Sequence, residues 1–215
     1  MKTYKLTNGI EMPAIGMGTW PLKGDRLRSV ATAAIEVGYR LFDTADNYGN
    51  EEALGDVLNS GVVSREELFV TTKISDEKND ACPWSSVGKY FYRTSAYMKT
   101  HTVKEVVERL VNESLRKLRT DYIDCLLVHW PYPDYLLEIW DVMCGLYHQG
   151  KLRSIGVSNC RERHIEKISR AFDIKPMVNQ ISISPLDTRK PLLSYCGRQG
   201  IRVMCYGGSA DIPGW

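Results

Sequence analysis

Segments typical of strands and segments typical of helices alternate along almost the whole chain, and this alternation is the strongest constraint on its fold. Apolar runs bounded by turn residues predict seven strands, and runs with an apolar period near 3.6 predict six helices between them. The predicted strands are Ala14–Thr19, Tyr39–Asp43, Leu68–Lys73, Ile123–Val128, Leu152–Val157, Met177–Ile181 and Ile201–Tyr206. The predicted helices are Arg26–Val37, Glu51–Asn59, Val103–Leu118, Leu136–Tyr147, Arg163–Ala171 and Pro191–Arg198. Such alternation indicates βαβ units and a parallel sheet.

The first predicted strand-to-helix turn distinguishes between the two common parallel architectures. Gly16-Met17-Gly18-Thr19-Trp20 lacks the third glycine of a Gly-x-Gly-x-x-Gly fingerprint, so a doubly wound nucleotide-binding fold is disfavoured. A (β/α)8 TIM barrel is favoured instead. Asn8-Gly9 predicts a β-hairpin before the barrel. Because only seven strands follow the hairpin, we expect one domain over residues 1–215 that lacks the last βα unit.

Charge and composition exclude several classes of function. The net charge is +2 and no long run carries one sign, so neither a nucleic-acid partner nor a membrane surface is indicated. The chain opens on a hairpin pattern, and it contains no apolar stretch long enough to cross a bilayer, which predicts a cytoplasmic protein without a signal peptide. No cysteine pair has Cys-x-x-Cys spacing, so we expect reduced thiols and no metal site.

Four polar residues follow the ends of three consecutive predicted strands. Asp43 ends the second strand and Tyr48 follows it, Lys73 ends the third, and His129 follows the fourth. The carboxyl ends of barrel strands converge on one face, where catalytic groups of this fold lie. We therefore predict that a carboxylate, a phenol, an amine and an imidazole form one proton-transfer site.

These residue types suit the reduction of a carbonyl group. Tyr48 is the candidate acid, and Lys73 beside it is expected to lower the high pKa of a tyrosine. Asp43 is expected to hold the Lys73 ammonium, and His129 to orient the carbonyl oxygen. Each residue also has a purely structural interpretation, since Tyr48 is compatible with packing, Lys73 with covering a strand end and His129 with a satisfied structural histidine.

Several ordered motifs resemble those of the aldo-keto reductases, from the opening hairpin to about Tyr206. They are Gly38-Tyr39-Arg40-Leu41-Phe42-Asp43-Thr44-Ala45-Asp46-Asn47-Tyr48-Gly49-Asn50-Glu51, Thr72-Lys73, Leu127-Val128-His129-Trp130-Pro131, Gly150-Lys151-Leu152-Arg153-Ser154-Ile155-Gly156-Val157-Ser158-Asn159 and Val178-Asn179-Gln180. The resemblance implies a TIM barrel that reduces aldehydes or ketones with NADPH, or less often NADH. It assigns the catalytic tetrad to Asp43, Tyr48, Lys73 and His129, with Tyr48 as the acid.

The resemblance also implies cofactor and substrate contacts near the ends of the strands. The implied residues are Ser158, Asn159 and Gln180 for the nicotinamide carboxamide, Tyr206 for stacking on its ring, Ser209 as a further cofactor contact, and Trp20 and Trp130 for the apolar substrate pocket. A helix cap remains an alternative for Ser158-Asn159, and core packing for the two tryptophans.

The sequence departs from the family pattern in three places. Ser182-Ile183-Ser184-Pro185 stands where the family has Glu-Tyr-His-Pro, and Gly207-Gly208-Ser209-Ala210 stands where it has Ser-Pro-Leu-Gly. The family's eighth strand and its basic site for the adenosine 2′-phosphate would lie beyond Trp215. We therefore expect a C-terminally short member or a fragment, as a monomer or weak homo-oligomer.

Three further interpretations stay open from the sequence. One is a non-catalytic nucleotide-sensing or scaffold relative, or an inactive fragment, of the same family. A second is an unrelated barrel lyase or isomerase that uses Lys73 as a Schiff-base amine. The third concerns the aromatic-rich stretch of residues 75–101, which is either a lid or wall of the substrate pocket or a surface excursion.

Overall fold

The computed structural model describes residues 2–75 and 97–207, and it folds them into alternating strands and helices. The strands are β1 (Thr3–Lys5), β2 (Glu11–Pro13), β3 (Gly16–Gly18), β4 (Leu41–Asp43), β5 (Phe69–Ile74), β6 (Cys125–Val128), β7 (Ile155–Ser158), β8 (Val178–Ser182) and β9 (Arg202–Tyr206). The helices are α1 (Gly24–Glu36), α2 (Glu51–Leu58), α3 (Val103–Leu118), α4 (Leu136–His148), α5 (Glu162–Ala171) and α6 (Lys190–Arg198). The predicted alternation is therefore confirmed.

Strands β3 to β9 form a parallel sheet in which neighbours in space are also neighbours in sequence. Gln180 on β8 donates a 2.7 Å hydrogen bond to Asp43 on β4, although these strands stand four positions apart in the sheet. In a flat sheet that separation would be about 19 Å, at about 4.8 Å per strand. The sheet is therefore curled into a nearly closed barrel, as the sequence predicts.

Burial on both faces explains why β6 is a continuous apolar run. All six residues of β5 and all four of β6 are buried, because helices cover the outer face of the sheet and side chains fill the inner one. The helices present one apolar stripe each, and in α3 this stripe includes Val107, Val111 and Leu118. A capping box between Thr102 and Glu105 fixes the start of α3.

The predicted hairpin is present and covers the amino ends of the strands. Strands β1 and β2 pair antiparallel, with Gly9 in the turn at φ 91°. Asn8 in this turn donates to the carbonyl oxygen of Arg153, just before β7. The Arg202 guanidinium, at the start of β9, lies 4.2 Å from the Tyr4 ring. The hairpin thus closes the end of the barrel opposite to the predicted site.

Strand β6 begins two residues later than the sequence predicts, and Asp124 explains the difference. Its carboxylate pairs with Arg65 at 2.7 Å and Arg153 at 3.0 Å, and it accepts a hydrogen bond from the Val70 amide. This side chain therefore replaces a regular ladder contact between β5 and β6. Ile123, before it, retains only an isolated bridge to Leu152.

Two sequence-based predictions fall largely outside the described residues. The proposed pocket loop, residues 75–101, is described only at Ser75 and from residue 97, where a short 3-10 helix covers Tyr97–Lys99. Ser209 also lies outside the described residues. Among the helices of residues 2–75 and 97–207, none combines the length and apolar character that a membrane span needs.

Two helical glycines test how closely the helices pack. A Cβ on Gly55 in α2 would lie 2.2 Å from the Lys117 carbonyl oxygen at the end of α3. Gly55→Ala is therefore expected to lower the free energy of unfolding by about 1–3 kcal/mol, measured by urea denaturation. A Cβ on Gly145 in α4 would meet no described atom within 4 Å, so Gly145→Ala is expected to raise that free energy by about 0.5–1 kcal/mol. Equal effects of the two substitutions would contradict this close approach.

Candidate active site

Lys73 is the centre of the predicted site, and its charge is almost completely buried. The side chain is 1% exposed. Its Nζ atom lies 2.8 Å from Asp43 Oδ2, 2.7 Å from the Thr44 carbonyl oxygen and 3.4 Å from the Tyr48 hydroxyl. The three protons of the ammonium group thus have three oxygen neighbours, which offsets the cost of removing the charge from water.

Tyr48 lies in a short 3-10 helix, Asp46–Tyr48, in the loop that follows β4. Burial raises the pKa of the Tyr48 phenol above its ordinary value, although the nearby Lys73 charge acts in the opposite direction. The lowering by Lys73 that the sequence predicts is therefore present, but burial outweighs it. At neutral pH the phenol carries its proton.

Asp43 links Lys73 to the opposite side of the barrel. One carboxylate oxygen pairs with Lys73, and the other accepts the 2.7 Å hydrogen bond from Gln180 Nε2. The same nitrogen lies 2.8 Å from Met204 Sδ on β9. Gln180, which the family resemblance assigns to the cofactor, therefore contacts the candidate tetrad directly.

His129 and two tryptophans lie around the Tyr48 ring. The His129 and Tyr48 ring centroids are 6.0 Å apart in an edge-to-face arrangement. The Trp20 and Tyr48 ring centroids are 5.1 Å apart, and Trp130 stacks on His129 with a centroid distance of 6.1 Å. Both indoles are more than half exposed, at 58% and 52%, so core packing does not account for them. They form an apolar rim next to the candidate acid.

The remaining predicted cofactor residues of the described chain form a second polar group beside the first. Ser158 Oγ donates to the Gln180 carbonyl oxygen, and Asn159 Nδ2 donates to Ser158 Oγ and to the His129 carbonyl oxygen. The Tyr206 hydroxyl donates to Asn159 Oδ1 at 2.7 Å. Asn159 has φ 57°, in the left-handed region, and α5 begins only at Glu162. The alternative of a helix cap for Ser158-Asn159 is therefore wrong.

A supporting network that the sequence analysis did not assign fixes the loop around Thr44. Asn50 Oδ1 accepts a hydrogen bond from Thr44 Oγ1 at 2.7 Å, and Asn50 Nδ2 donates to Thr19 Oγ1 and to the Leu22 carbonyl oxygen. Asn50 and both threonines are buried. The network joins the loops after β3 and β4, and so it holds the Thr44 carbonyl that accepts from Lys73. The only sequence signal for this network is the motif of residues 38–51, which contains Thr44 and Asn50.

Asp46 is a second group missed by the sequence analysis. Both of its carboxylate oxygens accept from the Ser75 amide, at 3.1 Å. Burial of the carboxyl group raises the pKa of Asp46 to about 7; the Ser75 hydrogen bonds oppose this shift, and the Glu51 charge adds to it. Part of the residue still reaches solvent, but its carboxyl group is withdrawn from water. Asp46 therefore titrates close to neutral pH.

Comparison with known proteins identifies relatives of one family. The model of the aldo/keto reductase family matches residues 14–209. Glyoxal reductase of Bacillus subtilis (strain 168) is 38% identical over 202 residues, which are 94% of this chain and 65% of that protein. Methylglyoxal reductase of Escherichia coli (strain K12) is 35% identical over 190 residues, or 87% and 60% of the two chains. The chain thus spans less than two thirds of the length of these relatives.

Solved structures agree with the observed fold. An aldo/keto reductase from Brucella melitensis has a TM-score of 0.80 at 32% identity, and the match covers 96% of this chain and 72% of that one. A Bombyx mori aldo-keto reductase in complex with NADP has a TM-score of 0.79 at 33% identity, covering 99% and 70%. The nearly closed barrel is therefore the fold that these proteins share.

The raised pKa of Asp46 predicts how stability depends on pH. In the unfolded chain this carboxyl group loses its proton near pH 4, whereas in the folded chain it does so near 7. Between these values the folded state binds more protons, so wild-type stability falls as pH rises. An asparagine at this position would not titrate. In urea unfolding, Asp46→Asn should therefore gain at least about 1 kcal/mol relative to wild type between pH 5 and pH 8.

The matched control for this comparison is Asp25→Asn. Asp25 lies on the surface, with its side chain 99% exposed and 2.9 Å from Arg28. Its substitution should leave the difference from wild type nearly constant over the same pH range. A constant difference for Asp46→Asn as well would show that this carboxyl group titrates at an ordinary pH in the folded protein.

Proposed function

The chain belongs to the aldo/keto reductase family, and we propose that it reduces an aldehyde or ketone to an alcohol with NADPH, or alternatively NADH, as cofactor. One observation carries the proposal: Lys73 Nζ contacts Asp43 Oδ2, the Thr44 carbonyl oxygen and the Tyr48 hydroxyl together. Asp43 alone balances the charge of Lys73, so charge balance does not require the contact with the half-buried Tyr48 hydroxyl. The pairing suits a group that must release a proton.

The donor set beside the tetrad fits a nicotinamide. Amide groups of Asn159 and Gln180 and the hydroxyl of Ser158 match the donors and acceptors of a carboxamide. The Tyr206 side chain is tied at its hydroxyl to Asn159, while the residue remains 40% exposed, so its ring is available to a flat partner. When bound, a reduced nicotinamide supplies the hydride that adds to the carbonyl carbon.

The residues of this chain supply the proton and the orientation. As the carbonyl carbon gains the hydride, its oxygen gains negative charge and takes the proton of the Tyr48 hydroxyl. Lys73, 3.4 Å from that hydroxyl, stabilises the phenolate that remains. His129 donates a hydrogen bond to the carbonyl oxygen, and the indoles of Trp20 and Trp130 cover the apolar part of the substrate. Solvent then returns a proton to Tyr48.

The same contacts argue against a Schiff-base enzyme. A Schiff base needs a neutral amine with an accessible lone pair. The Lys73 side chain is 1% exposed and forms an ion pair with Asp43 at 2.8 Å, which stabilises the ammonium form. Borohydride trapping with a carbonyl substrate should therefore leave Lys73 unmodified.

We extend the proposal to the organisation and setting of the chain. The described site residues share one end of one continuous sheet, which supports a single barrel domain over residues 1–215. Five cysteines of the described residues are free thiols, which suits the reducing cytoplasm. A small carbonyl compound is the proposed partner, and the chain is proposed to be a monomer or a weak homo-oligomer.

Titration with NADPH tests the proposal before any substrate is chosen. Trp20 and Trp130 lie beside the candidate tetrad, so their fluorescence reports on occupancy of the site. Saturable quenching, followed by NADPH oxidation with glyoxal or methylglyoxal, would support the reductase. A folded chain that neither binds NADPH nor oxidises it would instead favour the non-catalytic relative or the inactive fragment.

Tyr48→Phe should nearly abolish carbonyl reduction, with a decrease in kcat of at least about a hundredfold, because it removes the proton and little else. NADPH affinity should change less than about threefold, since the aromatic ring remains. Tyr122→Phe is the matched control, because Tyr122 lies at the other end of the barrel and its hydroxyl has no hydrogen-bond partner among the described residues. A fully active Tyr48→Phe would disprove the assignment of the acid.

A pair of substitutions at Tyr206 separates stacking from hydrogen bonding. Tyr206→Phe keeps the ring and loses only the 2.7 Å contact with Asn159. Tyr206→Ala loses both the ring and the hydrogen bond. Because stacking of an aromatic side chain on a base contributes about 1–3 kcal/mol, we expect this variant to bind NADPH about tenfold more weakly, or weaker still. Fluorescence titration of both variants measures the difference. Similar affinities for the two would exclude stacking on Tyr206.

A further inference from the structure

Ser75 connects Asp46 to His129 at the carboxyl end of β5. Ser75 follows Ile74, the last residue of β5, and it is 2% exposed. Its amide donates to both carboxylate oxygens of Asp46 at 3.1 Å. Asp46 begins the 3-10 helix that carries Tyr48. The carboxylate therefore ties the end of β5 to the segment that holds the candidate acid.

The side chain of Ser75 points to the imidazole. Its hydroxyl oxygen and Nδ1 of His129 form a hydrogen bond. The His129 amide also donates to the carbonyl oxygen of Ile74, the residue before Ser75, at 3.1 Å. The main chain of His129 therefore lies beside the end of β5. Asp46, Ser75 and His129 thus form one hydrogen-bonded row along the carboxyl ends of β4, β5 and β6.

A neutral imidazole carries one ring proton, and the partner of one nitrogen determines where that proton lies. If the Ser75 hydroxyl donates to Nδ1, the proton is on Nε2, and Nε2 can donate to a carbonyl oxygen. The Ser75 side chain also interacts with the Asp46 carboxyl group, and the hydroxyl has one proton to give. If that proton goes to Asp46, Nδ1 must carry the ring proton and donate to the hydroxyl, and Nε2 has no proton to donate. The proposed role of His129 therefore requires the first arrangement.

We propose that Asp46 and Ser75 are positioning residues that select the Nε2-protonated form of His129: Asp46 holds the Ser75 main chain, and the Ser75 hydroxyl donates to Nδ1. The value of this tautomer for turnover rests on the proposed carbonyl reduction, since a carbonyl oxygen needs a donor. The selection of the tautomer itself needs no substrate, because it follows from the row of contacts among Asp46, Ser75 and His129.

Nitrogen-15 NMR of the histidine rings tests the tautomer without any substrate. The spectrum of the 215-residue chain is recorded at pH 8.5, well above the ordinary pKa of histidine near 6.5. The chain has 4 histidines, and His129→Gln identifies the pair of resonances that belongs to His129. We expect a protonated Nε2 and a non-protonated Nδ1. A wild-type protein with the proton on Nδ1 would overturn the proposal without any variant at Ser75.

Variants at Ser75 test the source of the preference. Ser75→Ala should convert the His129 signals to the averaged positions of a tautomer mixture, whereas Ser75→Thr, which keeps a hydroxyl, should retain the wild-type pattern. Ser60→Ala is the matched control, because within the described part of the chain the Ser60 hydroxyl donates only to the Val57 carbonyl oxygen in α2. An unchanged His129 pattern in folded Ser75→Ala would overturn the proposal.

The contribution of Asp46 is tested by a double-mutant cycle. Asp46→Ala alone should move the His129 signals towards the mixture, because the Ser75 main chain loses its acceptor. In the Ser75→Ala background the same change should have no further effect, since Asp46 acts through the hydroxyl. Equal shifts in both backgrounds would exclude this route for Asp46.

Turnover separates this proposal from the proposed function. Ser75→Ala should lower kcat for carbonyl reduction by about ten- to a hundredfold, the range seen when partners that orient a ligating histidine are removed, and leave NADPH affinity unchanged. If the wild-type chain has no reductase activity but still shows the Ser75-dependent tautomer, the positioning role stands and the proposed function is wrong. If Ser75→Ala is fully active and its His129 tautomer is unchanged, the proposed function stands and the positioning role is wrong.

Discussion

The ion pair of the buried Lys73 with the partly buried Asp43 is the interaction on which the site depends. Transferring an ammonium group and a carboxylate out of water is costly, and removal of one partner from such a pair destabilises a protein by about 3–5 kcal/mol. The cost is offset only if every proton of Lys73 meets an acceptor, and here Asp43, Thr44 and Tyr48 provide the three oxygens. Adjacent strands must therefore hold their registers accurately, as Asp43↔Thr71 pairing between β4 and β5 does.

Closure of the barrel joins the candidate proton-transfer groups and the residues proposed to bind the cofactor into one network. Asp43 uses its second oxygen to accept from Gln180 on the far side of the sheet, and Asn159 reaches the main chain of His129. A ligand that accepts the N–H of Gln180 directed at Asp43 must compete with Asp43 for it. Occupancy of the cofactor side and the geometry of the acid side are thus physically connected through single hydrogen bonds.

The sequence predicts what depends on local pattern and on the direction of the strands. Apolar runs and their polar ends were sufficient to bring Asp43, Tyr48, Lys73 and His129 together, because parallel strands place their carboxyl ends on one face. The contact of Gln180 with Asp43 depends on how far the sheet curls, and no local pattern encodes that distance. The start of β6 was predicted too early, because the contribution of Asp124 depends on two arginines from distant segments.

The missed residues share a different cause. Asp46 and Ser75 are an ordinary acidic residue and an ordinary serine within loops, and their meeting is a property of two loop backbones. The same holds for the Asn50 network around Thr44. Loop conformation is set by such tertiary contacts and not by residue preference, so the positions that support the tetrad become visible only after the fold is known.

The pKa of Tyr48 reflects two opposing effects, burial of the phenol and the charge of a neighbouring group. Burial raises this pKa, and the Lys73 ammonium opposes the increase. An isolated buried phenol would hold its proton too strongly, whereas an exposed phenol beside a lysine would gain little, because water screens the charge. In the described geometry the phenol keeps its proton at neutral pH, while a low-dielectric setting strengthens the attraction of Lys73 for the phenolate. The candidate acid therefore keeps its proton until a neighbouring oxygen develops charge, which is the moment at which the proposed reduction needs it.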